Sequence, residues 1–370
     1  MNSRERVVKA IEFDKPDRVP YYGLTLASDV LPMTIITPRS WQPAPPYMPY
    51  VDRLELQFGT WRSKRKLPRG WIKTKHVAID EWGVVWERNG SITSLGQVLD
   101  SPIKTWDDLE RYQFPDPHEP SRYWLYFLAK MLGRKRYRLA SIGNFFFERF
   151  HFLLGWERSM RAIVKSPKQA SDLLDRLAEY YIAVADEWIK RGVDAIMTTE
   201  DLGGQNEPLI SPAAYQRLFV PRLKRVIDYC HDHNVHFLMH SCGNIRELMP
   251  LIVGAGLDAF QFDGPDQTGI EYCSEHFGGK VAFMNVVDIQ NVMPAIRGTP
   301  GRIMDYVKKM IYYLGRFDGG LVGTEYISRG VLKPVKNGFK IMHDAYKQFG
   351  NYPLDLERLG KDIPHSPANA

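Results

Sequence analysis

From about residue 135 onward the chain alternates short apolar runs with longer amphipathic stretches. The apolar runs predict strands from Tyr137 to Ile142, Asp194 to Thr199, His236 to His240, Leu257 to Phe262, Val281 to Val286 and Gly320 to Thr324. Between them, apolar positions recurring every three to four residues predict helices from Lys168 to Arg191, Ala213 to His231, Ile245 to Ala255, Gly269 to His276 and Arg302 to Leu314. Strand and helix alternating at this spacing argue for parallel strands joined by right-handed crossovers. Periodicity alone leaves two arrangements open, a closed barrel and an open doubly wound sheet.

Helix boundaries carry their own signals. Ser166-Pro167 and Ser211-Pro212 place a capping hydroxyl before a proline at the first helical position. Gly192 and Gly256 stand where a left-handed residue would end a helix before the next strand. The first third is less regular. Residues 30–75 hold the proline- and aromatic-rich stretch Trp41 to Tyr50, then a basic cluster at Arg62, Lys64, Arg65, Lys66 and Arg69. The stretch reads as a long excursion or lid, or equally as a rigid surface loop. The basic cluster reads first as a solvated loop and second as a docking patch for an acidic protein or an anionic cofactor.

Composition narrows the class. The chain has 370 residues, 44% hydrophobic and 25% charged, as in ordinary globular proteins. Its net charge of +6 is scattered and does not support nucleic-acid binding. No apolar run approaches the length of about 18 residues that a membrane span requires. The charged, amphipathic start MNSRERVVKAIEF lacks a secretory core, and three cysteines form no disulfide framework. A cytoplasmic protein is expected.

The most specific local feature is the run Phe237 to Asn244, in which an apolar strand enters His240-Ser241-Cys242-Gly243. Residues two apart on an extended segment share a side, so His240 and Cys242 can meet one ion. Imidazole and thiolate together suit zinc. Alone, a His-x-Cys pair is a weak signal. Cys230 and Cys273 fall in helix patterns and read as core or helix-surface residues.

Several segments in order resemble the uroporphyrinogen decarboxylase superfamily. They are Arg4-Glu5-Arg6 with Lys15 to Pro20, Asp80 to Val84, Trp106 to Leu109, Glu200 to Gly203, Ile210 to Pro212, Pro221, and His240 to Gly243. The resemblance spans nearly the whole chain and implies a single (β/α)8 TIM-type barrel domain over residues 1–370. Within it, residues 1–75 would form an N-terminal extension or lid, and residues 135–350 the regular β/α units. The decarboxylase itself matches poorly, because Val19-Pro20-Tyr21-Tyr22-Gly23 stands where its arginine-rich signature would hold carboxylates. The better match is the branch of zinc-dependent methyltransferases that work with corrinoid proteins. There a His-x-Cys pair and a distant cysteine bind zinc. His240 and Cys242 match the pair, and Glu325 falls where the third ligand is expected.

A carboxylate in place of a second thiolate makes such a site harder and favours an oxygen ligand. The resemblance therefore implies methyl transfer from a methoxylated aromatic compound to the cobalt of a corrinoid carried by a separate protein, with Zn2+ bound by this chain. Methyl transfer from a methyl-corrinoid to a small acceptor such as a thiol is the alternative, and tetrapyrrole decarboxylation or a non-enzymatic binding role ranks below. A homodimer is compatible with the resemblance.

Around the pair, Glu200 and Asp201 are the first choices for catalytic roles, either orienting His240 or protonating a leaving oxygen. Glu207, Asp263, Asn285 and Asp288 lie near other strand ends. Tyr21, Tyr22, Asn144, Phe147, Met239, Phe262 and Asn285 are expected to line the substrate pocket, with ordinary core packing as the competing reading for the apolar ones.

Overall fold

A computed structural model describes residues 1–23, 28–35, 77–87, 96–124, 126–127, 131, 133, 135–326, 332–361 and 363. The proline-rich stretch Trp41 to Tyr50 and the basic cluster Arg62 to Arg69 lie outside the described residues. Among the described residues no helix is long and apolar enough to cross a membrane.

The chain begins with the helix Ser3–Ile11, started by a capping box in which Asn2 and Glu5 each accept the other's backbone N–H. Such a cap contributes about 1 kcal/mol. Next come β1 (Tyr21–Tyr22) and β2 (Val30–Thr34). An antiparallel sheet of β3 (Val77–Ile79), β4 (Val85–Glu87) and β5 (Gln97–Asp100) follows. The remaining strands are β6 (Tyr137–Asn144), β7 (Ala195–Thr199), β8 (His236–His240), β9 (Ala259–Gln261), β10 (Ala282–Val286) and β11 (Leu321–Thr324).

Eight of these strands form one parallel sheet in the order β2-β6-β7-β8-β9-β10-β11-β1. Its two edges meet: Asp29 donates its N–H to the Tyr21 carbonyl at 2.7 Å, and its carboxylate accepts the Tyr21 N–H at 3.0 Å. Asp29 is itself held by Arg6 and Arg18. The result is a (β/α)8 barrel, which resolves the choice that periodicity left open. Two of its eight strands come from within the first 35 residues, so that part is more than an extension.

Alternation along the strands separates two cores. Val30, Leu139, Ala195, Leu238, Ala259, Ala282, Met284 and Val322 pack together in the barrel interior with Val7, Ala10 and Ile11 of the first helix. That helix lies under the barrel, where Ala10 accepts the Gly320 N–H at 2.7 Å. Phe237, Met239, Phe260 and Phe283 face the surrounding helices. The expected long helix from Ala213 to His231 is two helices, Pro212–Leu218 and Val220–His231, because Pro221 sits in the first turn of the second. Ser211 caps as expected, accepting from Ala214 N, whereas the Ser166 side chain makes no cap bond. Gly192 and Gly256 take positive φ, as required of residues ending helices.

The Asp80 to Val84 motif is structural. One Asp80 oxygen accepts from Trp82 N and Val84 N, both at 2.9 Å, and the other accepts the Trp86 indole N–H at 3.0 Å. Glu81 forms a two-pronged pair with the fully buried Arg122.

Candidate metal centre

β7 and β8 run side by side with Thr199 opposite His240, so the residues just past their ends meet at the C-terminal face of the barrel. There the loops are joined backbone to backbone. Glu200 N donates to His240 O at 2.9 Å, Gly203 N to Cys242 O at 3.0 Å, and Asn244 N to Gly204 O at 2.8 Å. Close approach requires glycine at two positions. A Cβ on Gly203 would lie 2.6 Å from Cys242 O, and one on Gly243, whose φ is +77°, would lie 2.6 Å from Gly204 O.

This scaffold gathers Asp201, His240 and Cys242, whose ligand atoms all lie within 4.8 Å of one another. His240 Nε2 is 3.3 Å from Cys242 Sγ and 3.3 Å from Asp201 Oδ1. In a tetrahedral zinc site with ligand bonds of roughly 2.0 to 2.3 Å, ligand atoms stand roughly 3.4 to 3.6 Å apart. The two distances from His240 Nε2 are close to that separation, and the three donors, of three kinds, fit zinc with a position left over for substrate.

The electrostatics suit an ion. Burial opposes ionisation of Asp201, but hydrogen bonds from His240 and Cys242 outweigh it and hold the carboxyl below its ordinary range. Burial pushes the Cys242 thiol up, against the pull of His240. Burial also disfavours protonated His240, yet its bonds to Asp201 and Cys242 and the charge of Asp263 raise it well above the usual imidazole value. Three groups competing for protons in this way form a cluster that a cation can satisfy by displacing them.

Beside this group lie two further carboxyls. Glu200 is buried and accepts the Phe147 N–H at the start of the helix Phe146–Leu154. Burial, then the neighbouring Glu148, raises it well above the usual carboxylate range. Burial, then the charge of Asp201, pushes Glu148 up to about 7, and Asn144 donates to it at 3.0 Å.

Several expected site residues stand elsewhere. Glu325 is not part of the Asp201–His240–Cys242 group; it accepts the Tyr21 hydroxyl in a buried bond. Tyr21 itself stacks on His343 of the helix Gly338–Phe349, outside the barrel wall. Met239 precedes the inward-facing His240 and must point to the other side, where it joins the outer core. Phe262, stacked near Phe260 at 5.3 Å, and Phe147, packed against Phe219 and Trp156, also belong to that layer. Tyr22 faces the barrel interior, Asn144 serves Glu148, and Asn285 is buried.

Two residues that the sequence reading missed are Glu148 and Gln261. Gln261 is the register partner of His240 across β8 and β9, and its side-chain oxygen faces His240 Nδ1. The available signal was a glutamine inside an apolar strand, two residues beyond the inward Ala259.

The model of the family "Uroporphyrinogen decarboxylase (URO-D)" matches residues 92–316, more than half of the chain. A methylated-thiol–coenzyme M methyltransferase of Methanosarcina mazei is 22% identical over 174 residues, 47% of this chain and 45% of that protein. A uroporphyrinogen decarboxylase of Geobacter metallireducens is 24% identical over 191 residues, 48% of this chain and 51% of that protein. The matches thus span about half the length of these curated relatives. Among solved structures, a methyltransferase from Methanosarcina mazei superposes with a TM-score of 0.63 at 17% identity, over 94% of this chain and 99% of that one, a likeness of fold.

Proposed function

This chain belongs to the uroporphyrinogen decarboxylase family, and within it we propose a zinc-dependent methyltransferase that takes the methyl group of a methoxylated aromatic compound and passes it to the cobalt of a corrinoid on a separate protein. The observation that carries this reading is the Asp201–His240–Cys242 group at the barrel's C-terminal face, the end where such barrels place their chemistry. A decarboxylase reading finds no support at β1, where two buried tyrosines occupy the place expected to present arginines.

On this reading a carboxylate still takes the third place, but from a different residue. Asp201, in place of Glu325, gives one thiolate, one imidazole and one carboxylate. Zinc held by that set supplies Lewis acidity suited to an ether oxygen. The chain's own part is then to position and to manage a proton. His240 and Cys242 are fixed by the β7–β8 loop bonds, so little reorganisation accompanies binding. Asp201, held ionised, is a poor acid. Glu148, with its carboxyl near neutrality beside Asn144, holds the proton that a departing phenolate oxygen needs. Glu200 braces the start of the helix that carries Glu148.

The name of the Methanosarcina mazei relative favours a second reading, in which a thiol is one of the methyl-exchanging partners. The two are separated by mixing purified protein with a chemically reduced corrinoid protein and either a methoxybenzoate or a methylated thiol, and following the methyl-cobalt absorbance. Methylation from the methoxybenzoate is expected. Methylation from the thiol ether alone would replace the first reading with the second.

A further inference from the structure

The side chain of Gln261 lies between two groups of different demands. Its oxygen faces His240 Nδ1, and its amide nitrogen donates to Asp263 Oδ1 at 2.9 Å. An ionised carboxylate only accepts, so the Asp263 contact orients the amide, with nitrogen toward Asp263 and oxygen toward His240. An oxygen in that position accepts a proton from Nδ1. The other ring nitrogen, Nε2, is the one that faces Cys242 Sγ and Asp201 Oδ1.

We propose that Asp263 and Gln261 act as a positioning relay that fixes His240 in the tautomer carrying its proton on Nδ1, so that the Nε2 lone pair is presented to the metal. The inference rests on the zinc reading above and deepens it. Neither relay residue is a ligand. Three details support a built arrangement. Gln261 is buried, so its polar groups depend on these two partners. Its backbone is pinned by the strand register His240↔Gln261, and its carbonyl accepts the Ser241 N–H at 3.1 Å. The same β9 strand therefore holds both the loop that carries Cys242 and the ring that must stand beside it. Asp263 is two residues beyond Gln261, on the same side of the extended segment.

The relay has a consequence that a packing role would not have. Replacing Gln261 by methionine keeps the volume and removes the acceptor, whereas glutamate keeps an oxygen opposite Nδ1. Partners of this kind typically change metal affinity by about ten- to a hundredfold.

The test uses the full chain, with zinc affinity measured by chelator competition and the nitrogen of His240 that carries the proton read from 1H–15N correlations on 15N-histidine-labelled protein with zinc bound. Gln261→Met is expected to bind zinc ten- to a hundredfold more weakly and to lose the Nδ1-protonated signature. Gln261→Glu combined with Asp263→Asn, which keeps an oxygen opposite Nδ1 and a donor–acceptor contact between positions 261 and 263, is expected to stay within a few-fold of the parent and keep it. Wild-type affinity and an unchanged tautomer in Gln261→Met would overturn the relay. If Cys242→Ser and Asp201→Asn also bind zinc like the parent, it is the metal assignment that fails, and the tautomer measurement alone decides the role of Gln261.

Discussion

Gly203 and Gly243 lie against each other where the loops after β7 and β8 cross, and neither position has room for a side chain. The contact sets how far Asp201 stands from Cys242, whose N–H donates to the Asp201 carboxylate at 3.1 Å. Gly243→Ala adds a methyl group against backbone and places it at a positive φ, which together should cost at least about 2 kcal/mol. Urea unfolding should report the loss, and zinc content after gel filtration should fall with it. Unchanged zinc content in a destabilised variant would show that the crossing does not set the site.

The ligand group makes a prediction that separates Asp201 from Glu325. Asp201→Ala and Cys242→Ala should each lower bound zinc from about one ion per chain, as measured by atomic emission. Glu325→Gln should leave zinc content at the parental value. Loss of metal in the Glu325 variant would restore that residue as a ligand.

Tyr21 is expected to act on stability. Tyr21→Phe removes the hydroxyl that donates to buried Glu325, and the loss of one such hydrogen bond costs about 1 kcal/mol. Thermal unfolding should show this at undiminished zinc affinity.

Glu148 gives a pH dependence of defined sign. Its folded carboxyl titrates at about 7, against 4.5 without the burial and the Asp201 charge that raise it. Between those values the folded chain holds a proton that the unfolded chain has released. Stability therefore falls as pH rises through this window, by an amount on the order of 3 kcal/mol, and levels off above it. In metal-stripped protein, Glu148→Gln should gain stability relative to the parent as pH rises from 5 to 7. A parallel pair of pH profiles would refute the assignment.

Glu81 and Arg122 are expected to matter only for folding. Arg122 is fully buried, so Glu81→Ala leaves an unpaired guanidinium, at about 3–5 kcal/mol. The melting temperature should drop while zinc affinity per folded molecule stays the same.

How much of this was legible beforehand varies with the range of the interaction. Where period and turn chemistry agree, as in His236–His240, the expected strand coincides with the observed one. His240 and Cys242 were visible because both sit on one short segment. The third member of their group was named for catalysis, and its closeness to the pair depends on β7 lying beside β8, which no local pattern encodes. Met239 could have been excluded, since strict alternation next to an inward His240 turns it outward. Gln261 could have been noticed as a polar residue in an apolar strand, but its pairing with His240 comes only from the register of β9 against β8. β1 and β2 escaped notice for a similar reason. Two residues such as Tyr21–Tyr22 carry no periodicity, and they become a strand only by pairing with β11.

That pairing bears on the order of assembly. Tyr21 and Tyr22 find their hydrogen-bonding neighbours at Gly323 and Thr324, and Ala10 accepts from Gly320. During synthesis the segment that holds the first helix and β1 leaves the ribosome long before β11, the strand on which β1 docks. Closing so large a loop is entropically slow. The ring should therefore shut as a late event, with the seven later strands able to associate while the first helix and β1 are still unattached. Refolding followed by hydrogen-exchange labelling should find the amides of Gly320 and Gly323 protected after those of β7 and β8.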